Sequence, residues 1–235
     1  MRRIGLIGGM SWESSALYYR LLNERIAATL GGLHSAECVL YSVDFAEIER
    51  MQVQARWDDA GHRLTEAARC LEAAGAELAL LCTNTMHKVY DQVQAAVSIP
   101  LLHLGDATAD AVTAAGLDTV GLLGTGFTMA QPFYRERLER HGLTVLTPDE
   151  TDQELVHRVI YDELCKGVVL PSSRAAYQDV ITRLADRGAE GIILGCTEIE
   201  LLVSQTDSPV PVFPTTRIHV DAAVELALTG EPASR

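Results

Sequence analysis

The chain has 235 residues, 48% of them hydrophobic, enough to bury one large core or two of about half the size. Its formal net charge of −13 argues against a general nucleic-acid binder, which needs a basic face to neutralise phosphates, but leaves room for an anionic small molecule in a locally positive pocket. No apolar run reaches the length of a membrane span, and the N-terminal MRRIGLIGGM has too short an apolar stretch for a signal peptide, so a cytoplasmic protein with no membrane partner is expected.

In chain order, the first β-rich run is RIGLI (3–7), passing into the glycine-rich loop GGMSWES. CVLYSV (38–43) follows, then an amphipathic helical stretch over 58–74, then LALLC (78–82) and IPLLHL (99–104). The later runs are TVGLLG (119–124), LTVLT (143–147), GIILG (191–195) and VPVFP (210–214), again with helical stretches between them. Continuous apolar strands alternating with helices predict an α/β fold whose parallel sheets are covered on both faces.

Five cysteines, at 38, 70, 82, 165 and 196, form no CxxC pair and are odd in number. That pattern fits reduced thiols better than a disulfide framework or a zinc site, so no metal is expected. Only two lysines are present, Lys88 and Lys166, which limits any Schiff-base cofactor to two attachment points.

An internal repeat organises the chain. IGLIGGMSWESSALYYRLL (4–22) lies over VGLLGTGFTMAQPFYRERL (120–138), matching Gly5 to Gly121, Gly8 to Gly124 and Tyr18 to Tyr134. GAELALLCTNT (75–85) lies over GAEGIILGCTEI (188–199), and IPLLHLGDATADA (99–111) over VPVFPTTRIHVDA (210–222). The three matches come in the same order and at nearly the same spacing. Two similar α/β halves follow, each with about four parallel strands whose carboxyl ends would meet across one cleft.

The repeat bears on the stretch LALLCTNTMHK. Counting from the shared GAE, Cys196 corresponds to Thr83, and Cys82 to Gly195. Adjacent strand residues point to opposite faces, so Cys82 reads as the last core residue of its strand. Cys196 sits where a strand yields to a helix, and backbone N–H groups and the helix dipole there are expected to favour a thiolate.

The motifs IGLIGGMSWES, TNTMH (83–87) and GCTE (195–198) together resemble the aspartate/glutamate racemase family, in its aspartate-racemase branch, over essentially the whole chain. The resemblance implies a cofactor-independent amino-acid racemase with two pseudo-symmetric domains, one proton-transfer residue on each face of the substrate, and a homodimer. It also implies that a C-terminal helix over roughly 217–229 packs back on the first domain. The expected division is 1–103 plus 215–235 for the first domain and 104–214 for the second. The family's first motif is Cys-Asn-Thr-x-His. Aligning Asn84, Thr85, Met86 and His87 places Thr83 in the cysteine's slot, in agreement with the repeat.

Racemisation removes the α-proton from one face and returns one to the other. A thiol can act as the base, whereas a threonine hydroxyl is a far weaker one and serves better as a donor or relay. Cys196 as base and Thr83 as opposite-face donor make an asymmetric pair. The resemblance puts the second-half cysteine on the L face, so L to D is the favoured direction. The substrate carboxylate would be held by Asn84, Thr85 and Thr197, although either threonine could instead be a helix N-cap. Glu198 is a partner for the substrate ammonium or a favourable first-turn charge. Met10 enters the site by resemblance alone. Arg50 and Lys166, with Gln52 beside Arg50, are candidates for a side-chain carboxylate, which makes aspartate or glutamate the favoured substrate.

Other readings remain open at this level. One is a broad-specificity racemase using a Cys82/Cys196 pair, and another a one-cysteine decarboxylase or isomerase on the same scaffold. A nucleotide-binding dehydrogenase is weak, because the first loop reads GxxGG rather than GxGxxG. An amino-acid sensor would have no use for a reactive thiol at a strand end.

Overall fold

The computed structural model describes residues 1–229. Two compact units are present: Met1–Leu104 with the chain from His219 on, and Gly105–Ile218. Residues 230–235, assigned from sequence to the first domain, lie outside the described residues.

The first unit runs β1 (Ile4–Gly8), α1 (Trp12–Leu30), β2 (Cys38–Ser42), α2 (Phe45–Val53), α3 (Trp57–Ala73), β3 (Leu78–Leu81), a 3₁₀ turn (Thr85–Val89), α4 (Tyr90–Gln94) and β4 (Leu101–Leu102). Its strands are all parallel in the order β2-β1-β3-β4. Strand alternation sorts the side chains. Ile4 and Leu6 of β1 and Leu78 and Leu80 of β3 pack with Tyr18, Leu22 and Ile26 of α1. Ile7, Ala79 and Leu81 face the other way, against Leu64, Ala68 and Leu71 of α3. Burial on both faces is why these strands are apolar without interruption, each fully buried Leu or Ile contributing about 1.5–3 kcal/mol.

The second unit follows with α5 (Leu104–Ala114), β5 (Thr119–Gly124), α6 (Gly126–Ala130), α7 (Pro132–Glu139), β6 (Thr144–Leu146), α8 (Glu150–Asp162), a 3₁₀ turn (Leu164–Lys166), α9 (Pro171–Asp186), β7 (Gly191–Gly195), α10 (Ile199–Leu202) and β8 (Val212–Pro214), with α11 (Thr215–Thr229) last. The order β6-β5-β7-β8 repeats that of the first sheet. Each unit takes the helix that follows the other's last strand. Nearly all of α5 belongs to the second unit, where Arg137 of α7 grips Asp106 with two bonds of 2.5 Å. From His219 on, α11 belongs to the first, and its Val220, Ala223, Val224 and Ala227 complete the core around α1.

Strand pairing carries the repeat into three dimensions. Gly5 pairs with Ala79 in the first sheet and Gly121 with Ile192 in the second. Ala79 then pairs with Leu101, and Ile192 with Val212. The residues that the sequence repeat superposes therefore hold the same positions in the two ladders.

Candidate active site

In each sheet the strand order reverses between the first and third strands of the unit, which opens a crevice at their carboxyl ends. In the first unit, β1 enters this crevice through Gly9, whose φ of 89° and whose closeness to the Val43 backbone leave no room for a Cβ. The Gly9 N–H donates to Ser15 Oγ (2.7 Å), and Ser11 caps α1 by accepting the Ser14 N–H (3.2 Å). Ser14 Oγ in turn donates to the Cys82 carbonyl (3.1 Å), fastening the start of α1 to the end of β3. Met10 is buried in this loop.

Cys82 is fully buried and lies in the core with Leu78, Leu80, Leu22 and Val224. Burial pushes its thiol well above the ordinary range. β3 has ended by Thr83, which is half-buried and whose N–H turns back to the Leu81 carbonyl (2.8 Å). Thr83 lies four positions beyond Ala79, as Cys196 lies four beyond Ile192, so the strand registers make the two equivalent.

Cys196 follows Gly195, where a Cβ would come within 2.7 Å of the Leu123 carbonyl oxygen; only glycine lets β7 and β5 approach so closely. The Cys196 side chain is 8% exposed, and its Sγ donates to Glu198 Oε2 at 3.0 Å. Burial and then the Glu198 charge hold this thiol well above its ordinary range. The expected stabilisation of a thiolate by the following helix is therefore corrected: α10 has only four residues, and a carboxylate faces the sulfur. At rest Cys196 is a thiol with a proton acceptor beside it.

The remaining candidates divide into two groups. Asn84, Thr85, Thr197 and Glu198 are all buried in the turns after β3 and β7. Neither threonine is an N-cap: Asn84 and Glu198 hold those positions, and neither makes a side-chain capping bond. Thr197 instead accepts from the Thr216 hydroxyl (3.3 Å). Gln52 is buried on α2, and its Nε2 donates to the sulfur of Met86 in the TNTMH turn (3.1 Å). Arg50, by contrast, is exposed on α2. Lys166 is 62% exposed and pairs with Asp162 at 3.6 Å. Among the described residues, no group of His, Cys, Asp and Glu side chains could hold a metal ion.

Residues 7–223 match the family model for Asp/Glu/hydantoin racemases. The chain belongs to this family. A candidate Asp/Glu racemase of Yersinia pestis is 55% identical, with a TM-score of 0.92 over 97% of this chain and 100% of that one. An aspartate racemase homologue of Pyrococcus horikoshii OT3 is 37% identical, with a TM-score of 0.84 over the same shares. A broad-specificity amino-acid racemase of Bacillus subtilis is 24% identical over 160 residues, 66% of this chain and 67% of that protein. The two four-stranded parallel sheets are those of the two-domain racemase fold.

In this racemase-family chain the motif histidine His87 also belongs to a buried histidine group whose other members, His103 and His219, lie outside the motifs. His219 accepts from the Tyr18 hydroxyl at Nδ1 (3.0 Å), which leaves Nε2–H to donate to the Leu102 carbonyl (3.0 Å). Burial lowers it to about 3. His87 lies beside it, ring centroids 6.0 Å apart, against His103 and Tyr90. The repeat holds a signal for the first pair. Tyr18 corresponds to Tyr134, fully buried like it, and His219 to Thr108, which is also fully buried.

Proposed function

We propose that the protein is a cofactor-independent racemase of aspartate or glutamate, with Cys196 as the base on the L face and Thr83 as the proton donor on the other. The observation that carries this reading is a buried thiol hydrogen-bonded to a carboxylate at the end of β7, with a hydroxyl residue at the equivalent end of β3. Glu198 takes the Cys196 proton, a transfer favoured when the substrate ammonium lies nearer the sulfur, which gains the negative charge, than the carboxylate that loses it. The thiolate removes the α-proton, and the electron pair passes into the substrate carboxylate. Thr83 then protonates the α-carbon from its own face and regains a proton from solvent, while Glu198 gives up to solvent the proton it took.

Backbone and side-chain donors of Asn84, Thr85 and Thr197 stabilise the charge gathered on the carboxylate, and Met10 walls the pocket. Arg50, Gln52 and Lys166 receive the side-chain carboxylate. Because Cys196 is the stronger base of the two, the saturated enzyme works best from L to D and yields D-amino acids. The family resemblance adds a homodimer, and the composition a cytoplasmic setting. Incubation with L-aspartate or L-glutamate in D₂O, with no cofactor added, tests this reading: deuterium at the α-carbon is the expected result, and its absence across a panel of amino acids would remove it.

A second reading, broad specificity, is favoured by one observation. Both candidate cations for an acidic side chain are exposed, and Lys166 is already paired. A Cys82/Cys196 pair is not adopted in either reading, because Cys82 is enclosed in the core.

A further inference from the structure

We infer that His87 is a positioning residue for Thr83, fastening the turn after β3 to the start of α5 and so setting how often the reaction ends in inversion. This rests on the proton-transfer roles proposed above.

The His87 ring is buried, 4% exposed, and both its nitrogens are engaged. Nε2 accepts the N–H of Leu104 (3.1 Å), the first residue of α5, so that nitrogen carries no proton. The proton must then lie on Nδ1, which donates to the Thr83 carbonyl (2.8 Å). Tyr90 stacks on the ring at 6.1 Å with planes 7° apart, and His103 meets its edge at 4.7 Å, so the ring cannot turn away. Thr83 lies beyond the last ladder residue of β3, so its carbonyl has no strand to hold it. In the second unit the equivalent carbonyl, that of Cys196, accepts the Ile199 backbone N–H (3.1 Å). In the first unit the same task falls to a side chain.

The repeat supports a purpose for this tie. In the register that lays Thr83 over Cys196, His87 lies over Glu200. The Glu200 carboxylate, its side chain 9% exposed, takes the Nε–H of Arg217 at 3.1 Å. Arg217 lies in the first turn of α11, the counterpart of α5. Two different side chains thus make one connection, from the turn bearing the reactive group to the helix after the next strand.

The test uses L-aspartate (or L-glutamate) in D₂O and reads two rates: deuterium entering recovered L substrate, which needs only the Cys196 face, and appearance of the D enantiomer, which needs Thr83 as well. His87→Gln can reach the Nε2 position but not the Thr83 carbonyl, whereas His87→Asn places an amide nitrogen near Nδ1. H87Q is expected to lower the ratio of inversion to exchange about tenfold, the scale of a small misplacement of a reacting group. H87N is expected to stay near the wild-type ratio. Loss of folded protein alone lowers both rates together and leaves the ratio unchanged, so an unchanged ratio in H87Q would overturn the inference. ¹⁵N NMR of the wild-type imidazoles keeps it testable if the variants do not fold: His87 is expected as the Nδ1–H tautomer, and an Nε2–H tautomer would overturn it. Absence of any exchange in the wild type would instead overturn the racemase reading beneath it.

Discussion

Thr83 and Cys196 hold the same place in two copies of one fold, each four positions beyond the strand residue that pairs with the central glycine, Gly5 or Gly121. A hydroxyl in one copy and a thiol in the other make the proposed site chemically one-sided. Cys82, one residue earlier, has the other strand parity and faces α1 and α11.

That parity gives a prediction for Cys82. Cys82→Ala removes a buried sulfur and leaves a small cavity, costing about 1–2 kcal/mol of stability. Thermal unfolding should show a lower midpoint, while turnover per folded molecule stays at the wild-type level. A variant of normal stability without activity would return the catalytic role to Cys82.

For Cys196 the testable quantity is thiol reactivity against pH. Burial and the Glu198 charge both raise this thiol, so its alkylation by iodoacetamide, followed on its own peptide by mass spectrometry, should begin only well above the pH of an ordinary thiol. Glu198→Gln removes the negative charge beside the sulfur and should move the alkylation profile to lower pH. In the same variant turnover should fall by about 10²-fold or more, because the proton acceptor is gone. An unmoved profile would show that Glu198 does not face the thiol.

The strands are legible in the sequence because each is a bounded apolar run: RIGLI corresponds to Ile4–Gly8 and GIILG to Gly191–Gly195. IPLLHL reads too long, since only Leu101–Leu102 pair and Leu104 already opens α5. The repeat also makes the equivalence of Thr83 and Cys196 legible, because the strand pairings share its register. The resting state of Cys196 is not legible. The letters GCTE show a strand end and a helix start, but not that the sulfur is enclosed or that the Glu198 carboxylate folds back onto it. The motif marks His87, but not its meeting with His219, since the two are far apart in the chain and come together only when α11 packs against the first sheet.

Acidic-substrate specificity is tested at Arg50 and Lys166. If the two cations hold the side-chain carboxylate, Lys166→Met should raise the KM for aspartate about tenfold or more, the scale of one lost charge-assisted hydrogen bond, and leave the KM for alanine unchanged. Equal, small effects on both substrates in Arg50→Met and Lys166→Met would favour the broad-specificity reading.

His219 makes stability depend on pH. Its folded value of about 3 lies below the ordinary value of 6.5, so the unfolded chain binds a proton that the folded chain refuses. The stability associated with neutral His219 is complete above about pH 6.5 and is lost as the pH falls towards 3. His219→Gln, which retains a donor and an acceptor, should flatten the fall in denaturation free energy between about pH 6.5 and 4 by about one proton's slope. An identical slope in the variant would mean that His219 is not held neutral.

One strong base working with one weak one calls for a measurement that equilibrium does not constrain. The two enantiomers have equal free energy, so kcat/KM must be the same in both directions whatever the residues, and a directional preference shows only at saturation. The partition of the reaction in D₂O is free of that constraint. ¹H NMR with chiral analysis gives, for each enantiomer of aspartate, the ratio of deuterium entering the recovered substrate to inversion. A high ratio is predicted from L-aspartate, because Cys196 can return a deuteron to the face it deprotonates, and a low one from D-aspartate. Equal ratios from the two enantiomers would contradict a one-sided pair, since they would require two equivalent proton-transfer groups.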